Sequence, residues 1–317
     1  MNEGFLLAAI GTIQVTFASL DLVERVQSKS ARHDDERVRP GTVAFLVTVT
    51  LAFVVIQGAL MLLAPSAETL ISGVRGILGA SREAPGTLSP LAWVAITAVA
   101  FYGGGLADYL VHRFFNHTQL FWFTHEYHHL PKEVFVALPG LAVRPFSVFT
   151  VVPTAAVTVL LAQGTAVVLG APLSDLRPLE WVAVLNAFVL TTSHSSFLRA
   201  WMVTRPGRLA AGAMRAFGLT TPQEHLVHHA VDRVGNYGNM TTIWDRLFGT
   251  WTDPDRAENQ DRPLGLAYDQ DFLGTLTFGR WKFSPRIRER FQLHRYCRLR
   301  DGGSEATLAR PRESDVP

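Results

Sequence analysis

Nine of the 11 histidines in this 317-residue chain fall into four short groups. They are His112 and His117 in "HRFFNH", His125, His128 and His129 in "HEYHH", His194 in "TTSHSS", and His225, His228 and His229 in "HLVHH". A neutral imidazole presents a nitrogen lone pair, which suits iron, zinc, copper and nickel. On a helix turning about 100° per residue, the i, i+3, i+4 spacing holds the three rings of each triad on one face. The two triads are therefore expected to confront a metal site like two hands. His112 and His117 stand about 140° apart on a regular helix, poorly placed to hold one ion together; they are expected to reach two ions or to span a helix end. Nine rings suffice for four or five ligands to each of two ions, with positions left for oxygen or water. The isolated His33 and His294 read as ordinary surface or hydrogen-bonded residues.

Other chemistry is restricted. The single cysteine, Cys297, excludes an internal disulfide, a CxxC redox pair and a cysteine-held cluster within one chain. A net charge of +2, with 29 basic and 27 acidic residues and no basic block interleaved with aromatics, gives no case for nucleic acid. "HEYHH" also matches HExxH, in which His125 and His129 would bind zinc and Glu126 would be the general base of an intramembrane metalloprotease. That reading finds no aspartate ligand inside the late apolar runs and leaves seven of the nine clustered histidines unexplained. A non-enzymatic metal transporter or sensor would want polar groups at the bilayer midplane in several spans, and these runs are apolar.

The elements that position the histidines belong to a membrane protein. The chain is 48% hydrophobic and 18% charged, with positive mean hydropathy, too apolar for an ordinary soluble domain of this length. Charge-free runs at 4–20, 42–64, 91–107 and 145–174, and the run 178–198 with Glu180 as its one charge near the start, approach or exceed the roughly 20 residues a spanning helix needs. The first is marginal, with Gln14 inside and Asp21 at its edge. No basic segment or small-residue cleavage site marks it as a removed signal, so it is expected to stay as an anchor. Arg25, Lys29, Arg32, Arg37 and Arg39 lie between the first two runs, against only Arg75 and Arg82 in 65–90, which is read as a loop. The positive-inside rule puts the first segment in the cytoplasm. Threading alternately from there brings all four histidine groups, and the chain after Arg199, to the same side. Arginine's excess over lysine points to a GC-rich genome. "GASREAPGTLSP" reads as a loop and the final stretch from Gly302 as disordered. In "TPQEH", Thr221 as N-cap, Pro222 at N1 and Glu224 at N3 form a capping box that opens the helix of the second triad.

In order and spacing, "DYLVHRFFNH", "HEYHH", "HSS" late in an apolar run, "TPQEHLVHH" and the trailing "GNYGNMTTIWDRLFGTW" resemble the fatty acid hydroxylase and sterol desaturase superfamily of membrane-bound non-haem di-iron oxygenases. The likeness covers about residues 90–252. It implies an all-α integral membrane bundle of about four to five transmembrane helices with a cytoplasmic helical cap carrying a histidine-rich di-metal site. Residues 1–89 would be N-terminal helices and loops, 90–252 the catalytic domain and 253–317 a cytoplasmic tail. The resemblance implies that His112, His117, His125, His128, His129, His194, His225, His228 and His229 ligate two Fe2+ ions. With O2 as co-substrate, the protein would hydroxylate, or alternatively desaturate, an acyl chain, sterol or other isoprenoid lipid. The chain has no haem, flavin, nicotinamide or iron-sulfur signature, so electrons would come from an external donor. The expected location is multi-pass, in a bacterial cytoplasmic membrane.

Asp108, one turn before His112, is placed to accept its ring proton, and Asp245 is a second candidate to brace the ligands. Glu126 and Glu224 are left outside the ligand set. The glycines of "FYGGGLADY" permit close helix approach, and the aromatics after Gly235 are expected to pin the tail over the metal face. Two features depart from the family pattern. Members with a tenth histidine would have it at position 198, which is Leu198 here, leaving one coordination position to water or another side chain. The continuation "LPKEVFVALPGLAVRPF" replaces a serine- and asparagine-rich one, so the resemblance names no particular lipid.

Overall fold

Backbone N–H and C=O groups in hydrocarbon must be satisfied within their own segment, which makes helices of long apolar runs. The computed structural model describes residues 3–32, 38–79, 86–232, 235–260 and 262–299. Residues 80–85 of the expected loop and the expected disordered end lie outside that range. Among the described residues there is no strand, only helices and isolated bridges. α1 spans Glu3–Arg32, α2 Pro40–Met61, α3 Ala67–Ile77, α4 Pro90–Val111, α5 Glu126–His129, α6 Val148–Val168, α7 Arg177–Ser193 and α8 Ser196–Met202. Four stretches are long and apolar enough to cross a membrane: Gly4–Gln27, Pro40–Met61, Pro90–Asn116 and Val148–Val168. α7 and α8, bent by 76°, qualify together as a fifth. Exposed Leu7, Val15, Val47, Leu51 and Val55 on α1 and α2 give these helices an apolar outer face.

The stretch read as a loop at 65–90 contains α3. Ser66 caps it by accepting the Thr69 N–H, and Ile71 and Val74 pack with Val159 of α6. Arg75 then donates to Gln163 and to the Leu173 carbonyl. At eleven residues, with Gly73 and Gly76 inside, this helix is too short to stand out as a span.

α4 is the spine of the bundle, packing along α6 and α7 through Ile96, Ala100 and Phe101 against Ala162, Ala166, Val182 and Val189. Gly103 and Gly104 meet Leu161 and Thr158 of α6 so closely that a Cβ on either would overlap those side chains. The arriving ends of α4 and α7 carry His112 and His194 to one end of the bundle, and Gln57 near the arriving end of α2 donates to Ser147 at the start of α6. Asp21, 0% exposed, ties α1 to the segment after α5 and to the start of α8: its carboxylate accepts the Val136 N–H at 2.7 Å, the Ser195 hydroxyl at 2.6 Å and the Phe197 N–H at 3.0 Å. A cap of short helices covers this end: α9 (Arg205–Ala216), α10 (Pro222–His228), α11 (Ile243–Leu247) and the turns that follow. Residues 253–299 pack into it, because Phe272, Leu293, Tyr296 and Cys297 share one core with Phe53, Tyr127 and Leu130.

Replacing Gly104 by leucine should force α4 and α6 apart, costing about 1–3 kcal/mol or more of overpacking strain. Gly11 of α1 has nothing within 4 Å of its would-be Cβ, so Gly11→Leu is the control. Thermal melting of the two purified variants should show a lower midpoint for Gly104→Leu only; equal midpoints would contradict the close contact.

Candidate metal centre

Each histidine group arrives on a helix end or a single turn. α4 continues past Val111 as a π-helical turn, His112–Asn116, capped by His117. A π-turn closes i to i+5, so residues five apart come onto one side, and the Nε2 atoms of His112 and His117 are 3.3 Å apart. Of the two expectations for this pair, reaching two ions or spanning a helix end, the local winding gives the second: the rings span the end of α4 and come together there. α5 is one turn with His125 at its N-cap. α10 opens with the capping box, the Glu224 carboxylate accepting the Thr221 N–H at 3.2 Å and pairing with Arg215. His194 stands where α7 bends into α8.

The triads do not each act as a unit. Candidate ligand atoms gather into two groups, each within 4.8 Å of one another: His112, His117, His125, His129 and His228, and His128, His194, His225 and His229. The i and i+4 rings of "HEYHH" join the first group and its i+3 ring the second, and "HLVHH" does the reverse. Helical phase accounts for this, since i and i+4 lie about 40° apart while i+3 falls about 60° to the other side. The smaller group holds His194; Leu198, four residues further on in α8, donates its N–H to Ser195.

The donor atoms fit metal ions. Within the groups, Nε2 to Nε2 distances are 2.9 Å for His112–His125 and His194–His225, 3.1 Å for His129–His228 and His225–His229, and 3.3 Å for His128–His194. Nitrogens about 2.1 Å from one ion stand roughly 3.0 Å apart at right angles and roughly 3.4 Å apart at the tetrahedral angle. The ring backs fix the tautomers. Nδ1 of His112, His128, His194 and His228 donates to the carbonyls of Tyr237, Gly140, Leu190 and Gly235. A carbonyl only accepts, so Nδ1 carries the proton and Nε2 a bare lone pair. His128 and His194 therefore point two lone pairs at each other across 3.3 Å, an arrangement that a cation between them makes favourable. The Nδ1 atoms of His129, His225 and His229 are buried with no hydrogen-bond partner among the described residues.

Two of the carbonyls depend on glycine. Gly140 has φ +86° and Gly235 φ +151°, and a Cβ on either would run into backbone oxygen, of Tyr127 and Thr250 respectively. The third is braced by Asp245, whose carboxylate accepts the Tyr237 and Gly238 N–H groups, each at 2.7 Å, and the Thr250 hydroxyl at 2.8 Å. Asp245 thus holds the strip that holds His112. Asp108 does not take that ring's proton as expected; it accepts from Asn239 at 3.0 Å, because the Tyr237 carbonyl already occupies Nδ1. Glu126 Oε1 accepts from Tyr268 at 2.6 Å and Gln270 at 3.1 Å, outside both groups. Trp244 donates to the Tyr102 carbonyl at 2.9 Å and Phe248 stacks on Tyr109, fastening the strip to α4.

A cavity of about 670 Å³ reaches this centre from between α1, α3, α4, α6 and α7. His125 of one group and His194 of the other line it, with Asp108, Arg144 and Asn239. Sequence reasoning missed the placement of Asp21, Gly140 and Arg144. For Asp21 the signal was present, since a carboxylate at the edge of an apolar run must find donors.

Residues 97–250 match the sequence profile described as Fatty acid hydroxylase, and that stretch contains all nine clustered histidines. Residues 97–250 belong to the fatty acid hydroxylase family. The chain is 30% identical over 149 residues to fatty acid hydroxylase vlmA of a Lecanicillium species, covering 46% of this chain and 38% of that protein. It is 27% identical over 190 residues to ornithine lipid hydroxylase OlsE of Rhizobium tropici, covering 59% of this chain and 50% of that one. The alignments thus span half or less of these relatives. No solved structure matches the chain significantly. Within that stretch the cavity meets one ring of each donor group, His125 and His194.

Burial above all, then neighbouring imidazoles, holds His125, His129, His225 and His229 well below the ordinary imidazole range; for His128 the Arg144 guanidinium follows burial. The rings are neutral and ready to bind metal. In the unfolded chain they take up protons near pH 6.5. Below that pH the unfolded state binds more protons, so stability falls as pH drops, by up to about 1.4 kcal/mol per ring per pH unit. Chelator-treated protein in neutral detergent should therefore melt at a markedly lower temperature at pH 5.5 than at pH 7.5. A flat profile would contradict neutral burial of these rings.

Proposed function

We propose that the chain is a membrane-embedded lipid hydroxylase whose two histidine groups each hold one iron ion. The observation that carries this is the set of facing Nε2 lone pairs, above all His128 against His194, at the end of a cavity that runs between apolar helices. Membership of a hydroxylase family and the printed names of two relatives support a lipid substrate and an oxidative reaction. His112, His117, His125, His129 and His228 would hold one ion, and His128, His194, His225 and His229 the other, with an open position near Leu198 for water or oxygen. Two ferrous ions, when bound, supply activation of dioxygen and attack on an unactivated C–H bond. One oxygen atom enters the product and the other leaves as water, consuming two electrons and two protons from outside the chain. The electrons come from a separate reductase or redox carrier.

The protein's own residues do the positioning. Backbone carbonyls of Gly140, Leu190, Gly235 and Tyr237 fix four ring orientations and keep those Nε2 atoms unprotonated. The apolar cavity excludes bulk water and lays a C–H bond beside both groups. Arg25, Lys29, Arg32, Arg37 and Arg39 favour placing the metal end on the cytoplasmic face of a bacterial membrane. The same ligand set would serve desaturation; hydroxylation is the reading favoured by the relatives' names. A metalloprotease using Glu126 as base is disfavoured, because the Glu126 carboxylate is engaged by Tyr268 and Gln270.

Lipids from cells with and without the protein, grown under 18O-labelled dioxygen, should differ by a hydroxylated species carrying the label. Glu126→Gln should retain most of that activity, whereas loss of a true general base costs about 10²–10⁴-fold. A protein-dependent hydroxyl labelled from water, or a dead Glu126→Gln variant with metal intact, would reject the oxygenase reading.

A further inference from the structure

The cavity contains two charges that the proposed chemistry does not use. Apart from imidazoles, Asp108 and Arg144 are the charged residues in its lining among the described residues. The Arg144 guanidinium makes no ion pair or hydrogen bond among the described residues; only its backbone is engaged, the N–H donating to Gln57 at 3.2 Å and the carbonyl accepting from Ser147 at 3.0 Å. Asp108 accepts from Asn239 and lies within the field of Arg144 without pairing with it. Charged groups inside an apolar bundle are costly, and they persist facing a cavity where a ligand or a partner compensates them. Both lie near the metal end. Asp108 is one helical turn before His112, and Arg144 is four residues after Gly140, whose carbonyl holds His128. Away from that end the lining includes Ile71, Val151, Val159, Leu179 and Val182, and about 670 Å³ is within the ordinary range for a ligand site.

Opposite charges held apart select by charge pattern. A simple carboxylate or phosphate is drawn to Arg144 but repelled by Asp108; an amine meets the reverse; a neutral lipid leaves both uncompensated. We propose that this cavity binds a lipid with a zwitterionic, amino-acid-type head, Arg144 taking its acidic group and Asp108 its amino group, with the chain running between α3, α6 and α7. This rests on the reading of the cavity as the lipid site. It places the head and the first carbons of the chain, rather than the chain's far end, beside His125 and His194. Arg144 is then a specificity-determining residue, its planar fork suited to two parallel hydrogen bonds with a carboxylate.

The test is direct binding, scored without turnover. Purified full-length protein in neutral dodecyl maltoside micelles is titrated by native mass spectrometry with four sixteen-carbon probes: Nε-palmitoyl-lysine, palmitate, hexadecylamine and hexadecanol. Nε-palmitoyl-lysine should bind at least about tenfold more tightly than each of the others, as two charge-assisted contacts allow. Arg144→Gln should reduce it to the level of hexadecylamine, Asp108→Asn to that of palmitate, and Arg144→Lys, which keeps the charge without the fork, should fall between wild type and Arg144→Gln. Equal binding of hexadecanol and the zwitterion, or tightest binding of palmitate or of hexadecylamine, overturns the proposal, and the wild-type series alone decides this if a variant fails to fold. A selective protein that hydroxylates nothing would keep this assignment and remove the oxygenase reading; hydroxylation with no preference for the head would do the opposite.

Discussion

The structure turns on lone pairs that repel one another unless a cation lies between them. Nine imidazoles in two groups crowd their donor nitrogens to 2.9–3.3 Å, and four of the rings are locked by carbonyls into the tautomer that leaves Nε2 bare. Burial removes the alternative of protonation for His125, His128, His129, His225 and His229, since an imidazolium there would be desolvated among others of its kind. Much of the remaining architecture holds this donor geometry in place. Asp245 braces the strip behind His112, the capping box fixes the start of α10, and Asp21 binds the segments that follow His129 and His194 to α1.

The interleaving of the triads gives the centre its form. Because each short helix gives two rings to one group and one to the other, neither α5 nor α10 can shift without disturbing both. The close packing of α4 on α6 through Gly103 and Gly104 then sets where the π-turn delivers His112 and His117. The cavity touches one ring of each group, so its contents and the metal centre are coupled by shared walls.

The helical class, the spans and the clustering of nine histidines were legible because hydropathy and residue spacing encode them directly. The capping box at Thr221–Glu224 was legible for the same reason: it is a local hydrogen-bond pattern. What escaped depends on contacts far apart in sequence or on non-standard winding. A π-turn cannot be read from a regular 100° step, so the sequence offered a helix end spanned by His112 and His117 as one alternative without showing that the two rings meet there. The proton of His112 goes to a carbonyl 125 residues away, not to Asp108 one turn back. The stretch "LPKEVFVALPGLAVRPF", which looked only like a departure from the family, supplies the Gly140 carbonyl behind His128 and the Arg144 guanidinium in the cavity. Helix α3 was lost because it is short and amphipathic rather than apolar throughout.

The central claim is that the two groups hold two ions of the same redox-active metal in one centre. Metal analysis joined to Mössbauer spectroscopy on 57Fe-grown protein tests it most directly. The account predicts two irons per chain in nitrogen-rich sites, with exchange coupling between them once oxidised, and loss of that coupling in His128→Ala. A single metal per chain, zinc in place of iron, or an unchanged coupled signal in His128→Ala would contradict it.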